Sequence, residues 1–141
     1  MDALANALNH LIGSKYDDWL KIAVSHHPVT GKEMMENDFM DLLTVHGFKI
    51  YIHGHIHQAI EEFHKYDDEK GIFVIGAGTF GAPSESQVKG ILLQYNLIIY
   101  DSKKGSIIVK TRKKEKINGA WSADARWGDK NKPKPQYTLQ L

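Results

Sequence analysis

Two short β-rich runs, Lys-Ile-Ala-Val-Ser-His at 21–26 and Lys-Ile-Tyr-Ile-His at 49–53, bracket a helical-looking segment, and this arrangement constrains the fold more than any other feature. Pro28 closes the first run, because proline offers no N–H to a ladder and restricts the residue before it. Thr30-Gly-Lys-Glu33 has the form of a capping box, and Val29 can staple onto Met34. The pattern therefore predicts a helix over 31–46 that buries Met35, Phe39, Leu42 and Leu43 and stops at Gly47. Strand, helix, strand is by default a right-handed crossover between neighbouring parallel strands. Both His26-His27-Pro28 and Gly54-His55-Ile56-His57 should then emerge at adjacent C-terminal strand ends, where open α/β sheets place their sites.

Upstream, Leu4, Leu8 and Leu11 recur at helical spacing and predict a helix over 2–12, with Gly13 as its stop. Downstream, strand candidates fall at 58–64, 72–76, 92–100 and 106–113, separated by turn signals at 67–71 and 102–105. The fold class is thus a mixed α/β sheet whose second part is built of hairpins. From Asn118 onward Trp121 and Trp127 stand in a stretch of little periodicity, and Lys-Pro-Lys-Pro at 132–135 predicts an extended, surface-lying tail. A length of 141 residues with 42% hydrophobic content suits one domain, here 1–117, followed by a tail over 118–141 that packs on it or extends from it.

Composition narrows the chemistry. There is no cysteine, which removes disulfides, thiolate metal sites and cysteine nucleophiles and fits a cytoplasmic location. The N-terminus lacks the basic start and apolar core of a secretory signal, and no stretch approaches the ~18 apolar residues of a membrane span, so no membrane partner is expected. A net charge of +1 announces no polyanionic partner, although eight histidines are present. Metal binding would have to use nitrogen and oxygen ligands.

Imidazole binds divalent first-row metals through a neutral nitrogen, and such ligands must come from segments held close together. Alternate residues of an extended backbone face the same way, so His55 and His57 can point into one site while Gly54 lets the chain bend. His53 shares that parity and competes with them. The plainer alternative is a set of ordinary, partly buried histidines at strand ends.

A strand ending in His-His-Pro, an amphipathic helix and a second strand ending in Gly-His-Ile-His resemble, in order and spacing, the late motifs of the calcineurin-like metallophosphoesterases. The similarity runs on through GIFVIGAGTFGAP, QYNLIIYD, IIVKTRKKE and NGAWSADARW, and covers the chain from about Lys21. The resemblance implies the C-terminal half of a four-layer αββα sandwich, occupying 1–117, and a hydrolase acting on phosphate mono- or diesters. It further implies that His26 and His55 bind one metal, that His57 binds the other, and that His27 faces the substrate or supports the ligands. Two divalent cations, drawn from manganese, iron, zinc or nickel, would share a hydroxide that attacks phosphorus in line.

The family pattern also requires an early Asp-X-His, a Gly-Asp-X-X-Asp and a Gly-Asn-His, and none of these occurs in the chain. Neutral imidazoles alone leave two dications without anionic ligands, so at most partial metal occupancy is expected. The missing N-terminal half would be supplied in cis or in trans, and an exposed sheet edge would favour homo-oligomers. The competing class is a noncatalytic half-domain that binds one metal, or none, and serves interaction.

Two further patterns invite other readings. Gly76-Ala-Gly78-Thr-Phe-Gly81 after a strand, with Asp101 twenty residues on, matches a dinucleotide fingerprint, but 82–91 contains Pro83 and Gly90 where that motif needs a helix. Lys110, Arg112, Lys114 and Lys116 alternate along one strand. They read either as an edge strand guarded by lysines or as an attractor for a phosphorylated or nucleic-acid substrate. Trp121 and Trp127 read as packing anchors for the tail rather than base-stacking platforms.

Overall fold

The computed structural model describes residues 2–13, 15–29, 37–54, 60–65, 71–78, 80, 93–116 and 118–141. The capping box at 30–33, Met34, Met35, the predicted first turns of the second helix, and the segment around 66–70 lie outside the described residues, as do His55 and His57. The chain divides into two compact units, one built from 1–54 and 61–75, the other from 55–60 and 76–141. It is a mixed α/β protein, mostly strand, with open sheets.

In the first unit, α1 spans Asp2–Asn9, β1 Lys21–Ser25, α2 Asn37–Val45, β2 Phe48–His53, β3 Ile60–Lys65 and β4 Gly71–Gly76. Its sheet has the order β1-β2-β4-β3, and β1 pairs with β2 in parallel, as the strand–helix–strand pattern predicts. The apolar spacing of both helices feeds one core: Leu8, Val29, Phe39, Leu43, Tyr51, Ile72 and Val74 form a buried cluster, with Leu4, Leu11 and Leu42 packed against it. Burial of each large apolar side chain in such a cluster stabilises by about 1.5–3 kcal/mol, so the cluster orients α2 beneath the parallel pair. The α2 C-terminus is closed as expected at Gly47, which takes φ 78°. The Lys21 ammonium donates to the His46 carbonyl at 3.1 Å, placing a cation at the negative end of the helix. His46 Nδ1 lies 2.7 Å from the Leu42 carbonyl and Nε2 lies 3.2 Å from Asn9 Oδ1, which ties α2 to the end of α1. Carbonyls only accept, so Nδ1 carries a proton there, and in the neutral ring the bond to Asn9 then needs its amide N–H rather than Oδ1 turned to Nε2.

In the second unit, β5 (Leu93–Asp101) and β6 (Ser106–Lys114) form the predicted hairpin, with Leu93 opposite Lys114 and Asp101 opposite Ser106. The Asp101 carboxylate accepts the backbone N–H groups of Lys103 and Lys104 at 3.1 and 3.2 Å, an Asx-type turn. One expectation holds in part and another fails. The stretch from Asn118 contains strands β7 (Ser122–Ala123), β8 (Trp127–Asp129), β9 (Lys132–Lys134) and β10 (Gln136–Gln140), of which β9, on the Lys-Pro-Lys-Pro run, is extended and surface-lying as expected. Lys132–Lys134 is exposed, yet β10 pairs antiparallel with β6 and brings Leu139, 3% exposed, opposite Ile107. Accordingly β6 is a central strand in the order β10-β6-β5, with β7 pairing beside β10, and the edge-strand reading of its lysines is wrong. An edge and the open face of a central strand produce the same alternation of charge; strand order is set by β10, more than twenty residues away.

The segment after Asn118 is held by a polar network. Gln94 Nε2 donates to Asp124 Oδ2 at 2.6 Å, and Arg126 reaches the same oxygen through Nε at 2.8 Å and Nη2 at 2.7 Å. The Trp127 indole N–H donates to Thr111 Oγ1 at 2.8 Å, and that hydroxyl donates to Asn96 Oδ1 at 2.9 Å. Trp127 also packs edge-on against Tyr137, so it anchors this segment as its aromatic character suggests. No described helix is long and apolar enough to cross a membrane.

Candidate functional site

The parallel register of β1 and β2 sets Ser25 opposite His53, so the next residues on each strand, His26 and Gly54, leave the sheet together. Their proximity is measurable: a Cβ built on Gly54 would stand 3.9 Å from His26 Nδ1 and 3.9 Å from the His26 carbonyl oxygen. The first residue of Gly54-His55-Ile56-His57 therefore lies directly against the first histidine of His26-His27-Pro28. A side chain at 54 would occupy space next to the His26 imidazole.

His26 and His27 are both exposed, and their rings meet edge-to-face with centroids 5.4 Å apart. Pro28 and Val29 are buried immediately after them, so the apolar end of the segment is sunk in the core while the imidazoles face outward. His53 is 1% exposed, its Nδ1 is 2.9 Å from the Gly54 carbonyl oxygen, and its ring tilts over Tyr51 at 5.8 Å. His55 and His57 lie outside the described residues. Among the described residues no group of three or more histidines and carboxylates stands together.

The support beneath the histidine pair was not anticipated from sequence. Tyr51 is fully buried beside Phe39, and its hydroxyl donates to the His27 carbonyl at 2.7 Å. The Ser25 hydroxyl lies 3.0 Å from that carbonyl and also contacts the Tyr51 hydroxyl closely. Two hydroxyl protons serve three contacts, so with Tyr51 donating to His27, Ser25 donates either to the same carbonyl or to the tyrosine oxygen. Burial pushes the Tyr51 phenol above its ordinary 10.0, partly offset by the Ser25 bond, and Tyr51 stays a neutral donor at neutral pH. A serine just before His-His-Pro and a tyrosine two residues before the last strand histidine are the only sequence traces of this arrangement.

The described members of the dinucleotide pattern serve packing and turn geometry instead. A Cβ on Gly78 would fall 2.4 Å from Gln94 Oε1 and 2.9 Å from Gln94 Cβ, so glycine is needed to admit the buried Gln94 side chain. Asp101 is engaged in its own turn. Gly81 and the stretch 82–91 lie outside the described residues. A scan of protein-family models matches none of them to this chain, and no curated protein matches it.

Of the three expected ligands, His26 is among the described residues. His26 presents an exposed imidazole beside Gly54, and imidazole nitrogen suits manganese, iron, zinc and nickel alike. Carboxylates that would balance the charge of two dications are not gathered at this strand end among the described residues.

Proposed function

We propose that the chain contributes the histidine side of a dinuclear, calcineurin-like phosphoesterase centre, with a fold corresponding to the C-terminal half of the four-layer αββα sandwich. The single observation that carries this reading is the closeness of His26 to Gly54 at the ends of two parallel, adjacent strands, where a Cβ built on Gly54 would stand 3.9 Å from the imidazole. That closeness of His-His-Pro to the start of Gly-His-Ile-His supports a site shared by the two motifs. In this reading His26 and His55 hold one divalent ion, His57 holds the second, and His27 faces a phosphoester substrate. When bound, the ions would supply Lewis-acid activation of water and neutralisation of phosphoryl charge. The chain's own contribution is positional: the hydroxyls of Tyr51 and Ser25 fix the carbonyl of His27, and Pro28 and Val29 anchor the segment, so the two imidazoles keep a defined exit from the sheet.

A second reading, a noncatalytic interaction half-domain, has its own observation. Among the described residues β1 is the terminal strand of its sheet, and Ile22 and Val24 on it are 41% and 72% exposed. Such an edge accepts a further strand, from a missing half or from a second copy. Incubating the purified chain with manganese and a generic aryl phosphate separates the two. Absent or marginal turnover with metal retained fits a half-site; turnover with two tightly bound ions per chain contradicts the need for a second half. Loss of metal binding altogether favours the interaction reading.

A further inference from the structure

We propose that the open face of the β10-β6-β5 sheet binds single-stranded nucleic acid, with Lys110, Arg112 and Lys114 meeting phosphates and the Phe80 ring stacking a base. This goes beyond the phosphoesterase reading and does not depend on it. The near-neutral charge of the whole chain conceals a strong asymmetry: residues 93–141 hold eleven lysines and arginines against four aspartates and glutamates. Part of that excess is organised. Ile107, Val109 and Thr111 are fully buried on one face of β6, so alternation sends Lys110, Arg112 and Lys114 to the other. Among the described residues none of these three forms an ion pair with a carboxylate. A row of cations on a central strand that pairs with no carboxylate among the described residues is complementary to a polyanion.

The same face carries an ordered aromatic stack. Tyr95 is the cross-strand partner of Arg112 and meets Trp121 edge-on at 4.7 Å. Phe80 lies parallel to Trp121, with ring planes 10° apart and centroids 5.3 Å apart. Arg112 donates to the Trp121 carbonyl at 3.2 Å and the Lys114 ammonium sits 5.8 Å from the Trp121 ring, which fixes the indole beside the cationic row. Phe80 is nonetheless 65% exposed: Trp121 backs its ring in parallel and Tyr95 meets it edge-on at 5.8 Å, and among the described residues most of the side chain stays accessible. A rigidly backed, exposed aromatic ring next to cations is the combination that single-strand binders use, because every base offers a π-face and every nucleotide a phosphate. An anionic lipid surface would use the cations without needing a ring backed in parallel by a second aromatic, which is what stacking of a base exploits.

The test is fluorescence anisotropy of the full chain with labelled oligodeoxythymidine of roughly 12 nucleotides, within the site sizes of known single-strand binders. EDTA is included so that metal-dependent chemistry plays no part. Binding should weaken with salt at a log–log slope of about −2, from about 0.7 per phosphate contact for three contacts. Phe80→Ala should reduce affinity about 5- to 100-fold at unchanged slope, Phe80→Trp should preserve it, and Lys110→Gln should flatten the slope by about 0.7. Circular dichroism checks that each variant is folded, and Phe80 is exposed enough to be replaced without loss of core. No salt-dependent binding overturns the proposal. So does equal or tighter binding to duplex or to phosphatidylserine vesicles with Phe80→Ala unaltered, since that would mark a cationic surface without base stacking. A Phe80→Ala loss that Phe80→Trp fails to avoid also contradicts it.

Discussion

At the scale of single residues, the features that matter most are hydroxyls and glycines rather than the histidines alone. Tyr51→Phe removes the donor to the His27 carbonyl but leaves Ser25 able to bond it, so a loss of about 1 kcal/mol in urea unfolding is expected. The pH dependence has a definite sign. Because burial raises the folded-state pKa of Tyr51, the folded chain holds this proton more tightly than the unfolded one, so its contribution is intact below pH 10.0 and lost as pH rises beyond it. Tyr51→Phe should therefore flatten the alkaline limb of stability against pH; an unchanged limb would show that the phenol is not buried as described. Gly78→Ala should cost about 1–3 kcal/mol, because the new methyl meets a Gln94 side chain that is itself held by Asp124. Thermal unfolding would detect it, and a silent substitution would mean that Gln94 relocates freely.

At the scale of elements, the strands that sequence made legible were those defined by local pattern. Lys21–Ser25, Phe48–His53, Leu93–Asp101 and Ser106–Lys114 all fall where β-rich runs and turn residues place them, and the parallel β1–β2 pair follows from the helix between them. The contribution of Gln136–Gln140 was hidden, because Lys-Pro-Lys-Pro before it has the composition of a linker, and strand pairing with Ser106–Lys110 is a long-range fact. The same gap disguised a central strand as an edge. His46 shows the converse limit: one histidine among eight reads the same in sequence whether it binds metal or closes a helix, and here it joins α2 to Asn9. His46→Ala should lower stability by about 1–3 kcal/mol while leaving metal uptake unchanged. Asp124→Ala should strand Gln94 and Arg126 and cost about 2–3 kcal/mol, with faster protease cleavage after Asn118 as the accompanying sign. Equal cleavage rates would place the hold on that segment elsewhere.

At the scale of the whole molecule, the candidate site is half legible in sequence. The placing of His26 against Gly54 follows from two adjacent motifs on parallel strands, whereas the carboxylates of a balanced dinuclear centre have no counterpart in the family's early motifs along this chain. The exposed Ile22 and Val24 share one face of β1, the terminal strand of the first sheet among the described residues. Val24→Lys should reduce any concentration-dependent association seen in analytical ultracentrifugation, since a charge on an edge strand discourages pairing. Metal uptake bears most directly on the central proposal. Isothermal titration of the purified chain with zinc or manganese should show binding that His26→Ala, His55→Ala and His57→Ala each weaken and His53→Ala does not. Binding that survives all three substitutions, or that depends chiefly on His53, would contradict a metal centre built from these two motifs.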